Sequence, residues 1–238
     1  MAKRPGASHL DVAALAVSFS PRFALAPAGM YLAPERQSVS DEDSLVRRAA
    51  TGDRDAFREL FTNHRAEVLR LCYRMLGPRS DLDDVVQEVF FQVFRSLKDF
   101  RGQSKFTTWL HRVTVNVVLM HRRAERSRPV YTDEASSDVT ADERAPLPDA
   151  EAERRERMRA FSRLLDRLAD KKRIVFVLHE LEGLTPQEIS EVVGAPVLTV
   201  RTRLFYARRE LEAMLQEEPT LAALEVSFSD RPHGSGRE

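Results

Sequence analysis

The sequence predicts an all-α chain of two small helical domains, a helical bundle and a helix-turn-helix unit, joined by a flexible acidic linker. Three observations carry that expectation. Apolar residues recur at helical spacing from Ser40 to about Gln216, recognisable helix starts and stops punctuate them, and one interval rich in Pro, Ser and acid interrupts them. No strand-like alternation stands out. The pattern sets the boundaries: a poorly ordered extension over 1–39, a first domain over 40–126, a linker over 127–152, a second domain over 153–217 and a tail over 218–238.

Ser40 to Asp43 has the form of a capping box with acids in the first turn, and Leu45, Val46, Ala49 and Ala50 follow at helical spacing. After the break at Thr51-Gly52-Asp53, a longer amphipathic helix carries Phe57, Leu60, Phe61, Val68, Leu69, Cys72, Tyr73 and Leu76 to the stop at Gly77-Pro78. Ser80-Asp81 is placed to cap a third helix, whose apolar stripe is Leu82, Val86, Val89, Val93 and Leu97. A loop from Phe100 to Ser104 leads to a fourth, with Phe106, Trp109, Leu110, Val113, Val117 and Met120 as its expected buried stripe. Pro129, Pro146 and Pro148 mark the linker. Beyond it come Met158, Phe161, Leu164, Leu165 and Leu168, then the apolar run Ile174 to Leu181.

The chain has 238 residues, 42% of them hydrophobic and 31% charged, which excludes collagen-like, disulfide-rich and wholly disordered classes. Cys72, the one cysteine, can make neither an internal disulfide nor a Cys-based zinc site, so a reducing cytoplasm is the expected setting. No apolar run approaches the roughly 20 residues of a membrane span, and direct membrane insertion is not expected. Residues 1–37 begin with Lys3 and Arg4, but Pro21, Arg22 and Pro27 break the apolar part, which argues against a secretion signal. The 37 basic and 37 acidic residues cancel. Their distribution is uneven, and the unevenness is informative.

Thr185, Pro186 and Glu188 make a strong helix start, Gly194 supplies a turn and Pro196 opens the next helix at once. This is the helix-turn-helix pattern, in which the second helix enters the major groove. On that helix Val197, Val200, Leu204, Ala207 and Leu211 share one face. The other presents Leu198, Thr202, Phe205, Tyr206 and Arg209, flanked by Arg201 and Arg203. Residues 199–209 hold four Arg and no acid, which favours DNA over a merely solvated helix.

The third helix shows the opposite sign. Its far side carries Phe91 and Phe94 among Asp83, Asp84, Gln87 and Glu88, which fits a protein-docking surface unless a neighbouring helix buries the rings. Residues 95–128 then hold nine basic residues against two acids, around the polar loop Arg101 to Ser104, a composition suited to single-stranded nucleic acid. Phe106 and Trp109 read as packing. Residues 133–153 return eight acids against Arg144, which suits a solvated tether, a nucleic-acid mimic or a segment following a basic channel.

Together, Asp81 to Phe90, then Phe106-Thr107-Thr108-Trp109-Leu110 with Asn116 and Arg122-Arg123, then Leu184 to Ile189 with Thr199 to Leu204, closely resemble the extracytoplasmic-function sigma factors of the sigma-70 family. The resemblance spans about residues 44–215. It implies a bacterial RNA polymerase subunit without enzymatic chemistry or cofactor of its own. Asp83, Asp84, Gln87, Glu88, Phe91 and Phe94 would dock a sigma-2 domain on the clamp helices of the polymerase's largest subunit. Arg101, Gly102, Gln103, Ser104, Lys105, Arg112, Asn116, Arg122 and Arg123 would bind and melt the minus-ten element. A sigma-4 domain would read the minus-thirty-five element through Thr199, Arg201, Thr202, Arg203, Phe205, Tyr206 and Arg209 while contacting the flap. The acidic linker would follow the RNA exit channel, and an anti-sigma factor is an implied partner. Two departures stand out: Tyr206 replaces a residue that is basic in many relatives, and Met120 lies where an acid is often found.

Two other classes fit the residues less well. A helix-turn-helix regulator acting without replacing sigma leaves the acidic, Phe-bearing helix unexplained. An enzyme fares worse: His179-Glu180 opens like a metalloprotease motif, but Gly183 stands where the second His belongs, and Cys72 lies on an apolar stripe, away from any pairing with His64. No metal-ligand set is expected.

Overall fold

The computed structural model describes residues 9–11, 39–127, 149–218, 220–221 and 225–227. The chain divides into two compact units, one built around residues 20–139 and one around 140–238 with 1–19. The first is a four-helix bundle: α1 (Val39–Ala50), α2 (Arg54–Leu76), α3 (Leu82–Ser96) and α4 (Phe106–Ser127), with a 3-10 turn at Leu97–Asp99. The long α2 is the spine, against which α1, α3 and α4 all pack. Asp53 starts it by accepting from the backbone N–H groups of Asp55 and Ala56 at 3.0 Å each. These bonds, led by Ala56 and joined by the Arg48 guanidinium, hold its carboxyl below the usual range. Gly77 ends it at φ +77° and ψ −174°, a backbone conformation that essentially only glycine adopts. Leu60, Val68, Leu71, Cys72 and Met75 meet Val85, Val86, Val89, Val93 and Leu97 in the core with Leu110 and Val118. Cys72 is fully buried, and burial pushes its thiol up to about 12.

Several expectations shift. α1 begins at Val39, so Ser40 lies inside the helix rather than capping it. Asp81 precedes α3 without a side-chain cap bond, because its carboxylate is taken by Arg79, which also pairs with Glu125 near the end of α4. The buried arc of α4 is turned by roughly a quarter of the helix circumference from the expected stripe. Phe106, Leu110 and Val117 are buried, together with His111, Thr114, Val118 and Arg122, whereas Trp109 and Val113 are half-buried and Met120 is exposed. Polar side chains inside the bundle displace the apolar stripe, and the sequence pattern followed only apolar ones.

In the second unit, α5 (Asp149–Arg167), α6 (Asp170–Phe176), a π-helical turn at Val177–Leu181, α7 (Pro186–Val193) and α8 (Val197–Glu217) enclose Phe161, Leu165, Phe176, Leu178, Ile189, Val200, Ala207 and Leu211. α5 starts inside the expected linker, since carboxylates favour the first turns of a helix; Glu153 pairs with Arg157 at 3.1 Å. The remainder of the linker, residues 128–148, lies outside the described residues, as does most of the extension and tail.

One feature adds strands to the all-α fold. His9–Asp11 (β1) pairs in parallel with Glu225–Ser227 (β2), so parts of the extension and the tail expected to be poorly ordered form a two-stranded sheet. Leu224, Val226 and Phe228 alternate with polar residues over a run too short to outweigh the helical pattern. Ala222–Arg231 also repeats Ala13–Arg22 at eight of ten positions, with Ala16 in place of Glu225. Among the described residues, no helix is long and apolar enough to cross a membrane.

Candidate docking face and nucleic-acid interface

On α3 the inward stripe is fully satisfied by core contacts, and the outward side is left to solvent. Phe91 and Phe94 are 56% and 55% exposed. Phe94 leans edge-on against Phe57 with ring centroids 5.1 Å apart, and the Arg95 guanidinium stands 5.6 Å over the Phe91 ring. Asp83, Asp84 and Gln87 are exposed around them, and Glu88 is half-buried. Asp83 pairs with Arg65 at 2.7 Å, and Glu88 with His121 of α4 at 2.7 Å. The structure therefore brings all six expected docking residues together on one face of a rigid helix.

The loop between α3 and α4 is held from behind. Phe100, Phe106 and Trp109 form an aromatic cluster with centroid separations of 5.3 to 6.0 Å, and His64 meets Phe106 edge-on at 5.1 Å. His64 in turn lies 3.1 Å from Glu42 and 3.3 Å from Glu67, whose other oxygen is 3.0 Å from His111. Burial works against the Glu67 carboxylate, but the bonds from His111 and His64 win and hold its pKa well below the usual range. This brace was not legible in the sequence: His64 and Glu67 are one helical turn apart, yet His111 reaches them only through the fold.

In front of the brace, Arg101, Gly102, Gln103 and Lys105 are exposed and Ser104 is half-buried. Gly102 adopts φ +68° with open space around it, a turn that a side chain would strain. Arg112, Asn116 and Arg123 are exposed on one side of α4. Arg122 departs from expectation. It is only 7% exposed and donates to the Met75 carbonyl at 3.4 Å, so it braces the bundle and does not face a nucleic acid. Arg128 lies outside the described residues.

In the second unit the helix-turn-helix forms as its residues dictate. Thr185 Oγ1 accepts from the Glu188 backbone N–H at 3.2 Å while Glu188 accepts from the Thr185 N–H at 2.9 Å, completing the capping box. Gly194 sits at φ +63° and turns the chain into α8. Val200, Leu204, Ala207 and Leu211 are buried and Val197 is half-buried. The opposite face presents Leu198, Phe205 and Tyr206 at 76%, 54% and 50% exposure with Arg201, Thr202 and Arg209, while Thr199 and Arg203 are half-buried at its edges. Arg209 lies 5.8 Å over the Phe205 ring.

Known proteins share this arrangement. The description sigma-70 region 2 matches residues 60–128, and sigma-70 region 4 matches residues 158–211. The ECF RNA polymerase sigma-E factor of Haemophilus influenzae is 34% identical over 181 residues, covering 74% of this chain and 95% of that protein. The RNA polymerase sigma-H factor of Pseudomonas aeruginosa is 33% identical, covering 74% and 94%. Among solved structures, CnrH in complex with the cytosolic domain of CnrY aligns at TM-score 0.56 and 27% identity, covering 74% of this chain and 98% of that one. The sigma factor RpoE of Bartonella quintana, solved with the anti-sigma factor NepR, shares the fold at TM-score 0.51 and 16% identity, covering 67% and 96%. With both regions matched in order, and a relative at this identity covered almost end to end, the chain belongs to the extracytoplasmic-function sigma factors of the sigma-70 family, the RNA polymerase sigma subunits.

Proposed function

We propose that this sigma factor docks on core RNA polymerase through Asp83, Asp84, Gln87, Glu88, Phe91 and Phe94, and carries two promoter-reading surfaces with it. The observation that carries the reading is the pair of phenylalanines, each more than half exposed on a helix whose preceding turns carry Asp83, Asp84 and Glu88 on the same side. Exposed rings of that kind are the usual anchors of protein interfaces. The clamp helices of the largest subunit are the expected seat, with the flap meeting the second unit.

The loop Arg101 to Lys105, with Arg112, Asn116 and Arg123, takes the non-template strand of the minus-ten element and holds an unstacked base. The aromatic cluster and the carboxylate-imidazole brace behind it keep the loop in shape, so that ordering it costs little at the moment of capture. On α8, Thr199, Arg201, Thr202, Arg203, Phe205, Tyr206 and Arg209 take the minus-thirty-five element in the major groove. Neither surface is large. Bound to one polymerase, the second contact becomes intramolecular, and modest affinities multiply. The acidic linker follows the RNA exit channel, and the product is transcription of a stress- or signal-responsive regulon. The solved relatives were captured with an anti-sigma factor or a cytosolic protein domain, which supports an anti-sigma partner for this chain too.

The test is run-off transcription from genomic fragments with purified core polymerase, with sequencing of the DNA retained by the holoenzyme. Initiation at discrete sites sharing two spaced elements is the expected result. Initiation no different from core polymerase alone overturns the reading.

A further inference from the structure

Leu198 is 76% exposed, more than any other large apolar side chain among the described residues. It lies in the first turn of α8, and the promoter contacts proposed above give it no task. At 100° per residue, Phe205, Leu198, Arg209 and Thr202 fall in that order within an arc of about 60°. All four are exposed. The Thr202 hydroxyl donates to the Leu198 carbonyl at 2.9 Å, so its hydrogen is spent on the helix and the side chain is left to offer a methyl group and an acceptor oxygen. Leu198, the Thr202 methyl and the Phe205 ring therefore make one apolar line along the outer face of α8, with the exposed Arg201 and Arg209 beside it. The arginines suit phosphates, and the apolar line does not. What it matches is the apolar group on the major-groove edge of a base pair, the C5 methyl of thymine. The first residues of a recognition helix are the ones that reach base edges, and Leu198 stands among them.

We infer that Leu198 is a specificity-determining residue that reads a thymine methyl group in the minus-thirty-five element. It covers the methyl as the first turn of α8 enters the major groove, and it favours thymine at that base pair because only thymine presents an apolar group there. Contact of this kind is short-ranged and carries no charge, so it acts at a single base pair and leaves the salt dependence of binding alone. The inference rests on the promoter-reading role proposed above and adds to it one residue and the chemical group that it recognises.

The experiment uses holoenzyme made with the full chain and one promoter recovered from holoenzyme-bound DNA. Each thymine of the minus-thirty-five element, on either strand, is replaced in turn by uracil, which keeps the pairing with adenine and removes only the methyl. Affinities are measured by competition against the unsubstituted duplex for the wild-type chain, Leu198→Ala and Leu198→Met. Because Leu198 is so exposed, its truncation probes the groove contact and not the core. The expected result is one position at which uracil weakens the wild-type holoenzyme about fourfold, the worth of one methyl group withdrawn from water. At that position Leu198→Ala should bind the thymine and uracil duplexes equally, while Leu198→Met, which keeps an apolar reach, should still prefer thymine. The slope of log affinity against log salt should be the same for all three chains. If no thymine position separates wild type from Leu198→Ala, or if the element holds no thymine, the assignment is overturned. A shallower salt slope for Leu198→Ala overturns it too, since that is the mark of a lost phosphate contact. If the wild-type holoenzyme shows no preference for the element over unrelated duplex, the promoter reading itself fails, and the assignment with it.

Discussion

The outer faces of α3 and α8 use the same device under opposite charge. Each leaves two aromatic rings about half exposed, each props a ring with an arginine at 5.6 to 5.8 Å, and each sits on a helix whose other side is fully committed to a core. What differs is the surround: Asp83, Asp84 and Glu88 on one, Arg201, Arg203 and Arg209 on the other. The aromatic pair supplies contact area that any partner could use. The charged rim decides which class of partner arrives, by steering the encounter and by penalising the wrong one. The arginine over Phe91 is consistent with this, since Arg95 lies at the end of α3 where the chain passes from acidic to basic.

The sharpest way to break the comparison is to remove the rings from one face only. Phe91→Ala with Phe94→Ala is expected to weaken core-polymerase binding on the order of 100-fold, as hot-spot truncations do. Affinity of the free chain for duplex DNA stays unchanged. Fluorescence titration against labelled core polymerase, with a thermal melt to control for the lost Phe57 contact, measures it. A loss of DNA affinity instead would mean that α3 is not a separate protein-facing surface.

A smaller effect tests the basic rim. Arg201→Ala is expected to cost about tenfold in holoenzyme affinity for a minus-thirty-five duplex and to reduce the dependence of log affinity on log salt by about one. Polymerase binding should hold. Electrophoretic mobility shifts at several salt concentrations would read both quantities.

The smallest effect separates the two units by pH. The folded Glu67 pKa is depressed, so its contribution to stability is present above the ordinary glutamate value of about 4.3 and is lost as pH falls toward the folded value. Because a quarter of the Glu67 side chain remains exposed, the loss should be modest. The first unit should therefore weaken as pH drops below about 4.5, and Glu67→Gln should flatten that slope while leaving the second unit's melting unchanged. Thermal melts followed by Trp109 fluorescence, the one tryptophan and a member of the first unit, would report the first unit, and far-ultraviolet circular dichroism of the same chain would follow both. An unaltered slope in Glu67→Gln would dismiss the brace as a pH-dependent element.

Much of this was readable from residue order. Thr185-Pro186, Glu188 and Gly194 encode the helix-turn-helix locally, because caps and left-handed turns are decided by neighbours in sequence. The outward Phe91 and Phe94 were legible because Leu82, Val86, Val89 and Val93 already account for the buried side of α3. The rotation of α4 was not legible, since it depends on burying His111, Thr114 and Arg122, whose partners come from other helices. Arg122 misleads for the same reason: in sequence it is one more arginine beside Arg123, and its burial against the Met75 carbonyl identifies it as structural. Met120 reversed in the opposite direction, from expected core to exposed.

The short parallel pairing of His9–Asp11 with Glu225–Ser227 alters how the architecture is to be classed. β1 precedes the first helical bundle in the chain and β2 follows the second, and both strands cluster with the second unit. The bundle is thus a domain insertion, entered and left through the same neighbour, and not the first member of a tandem.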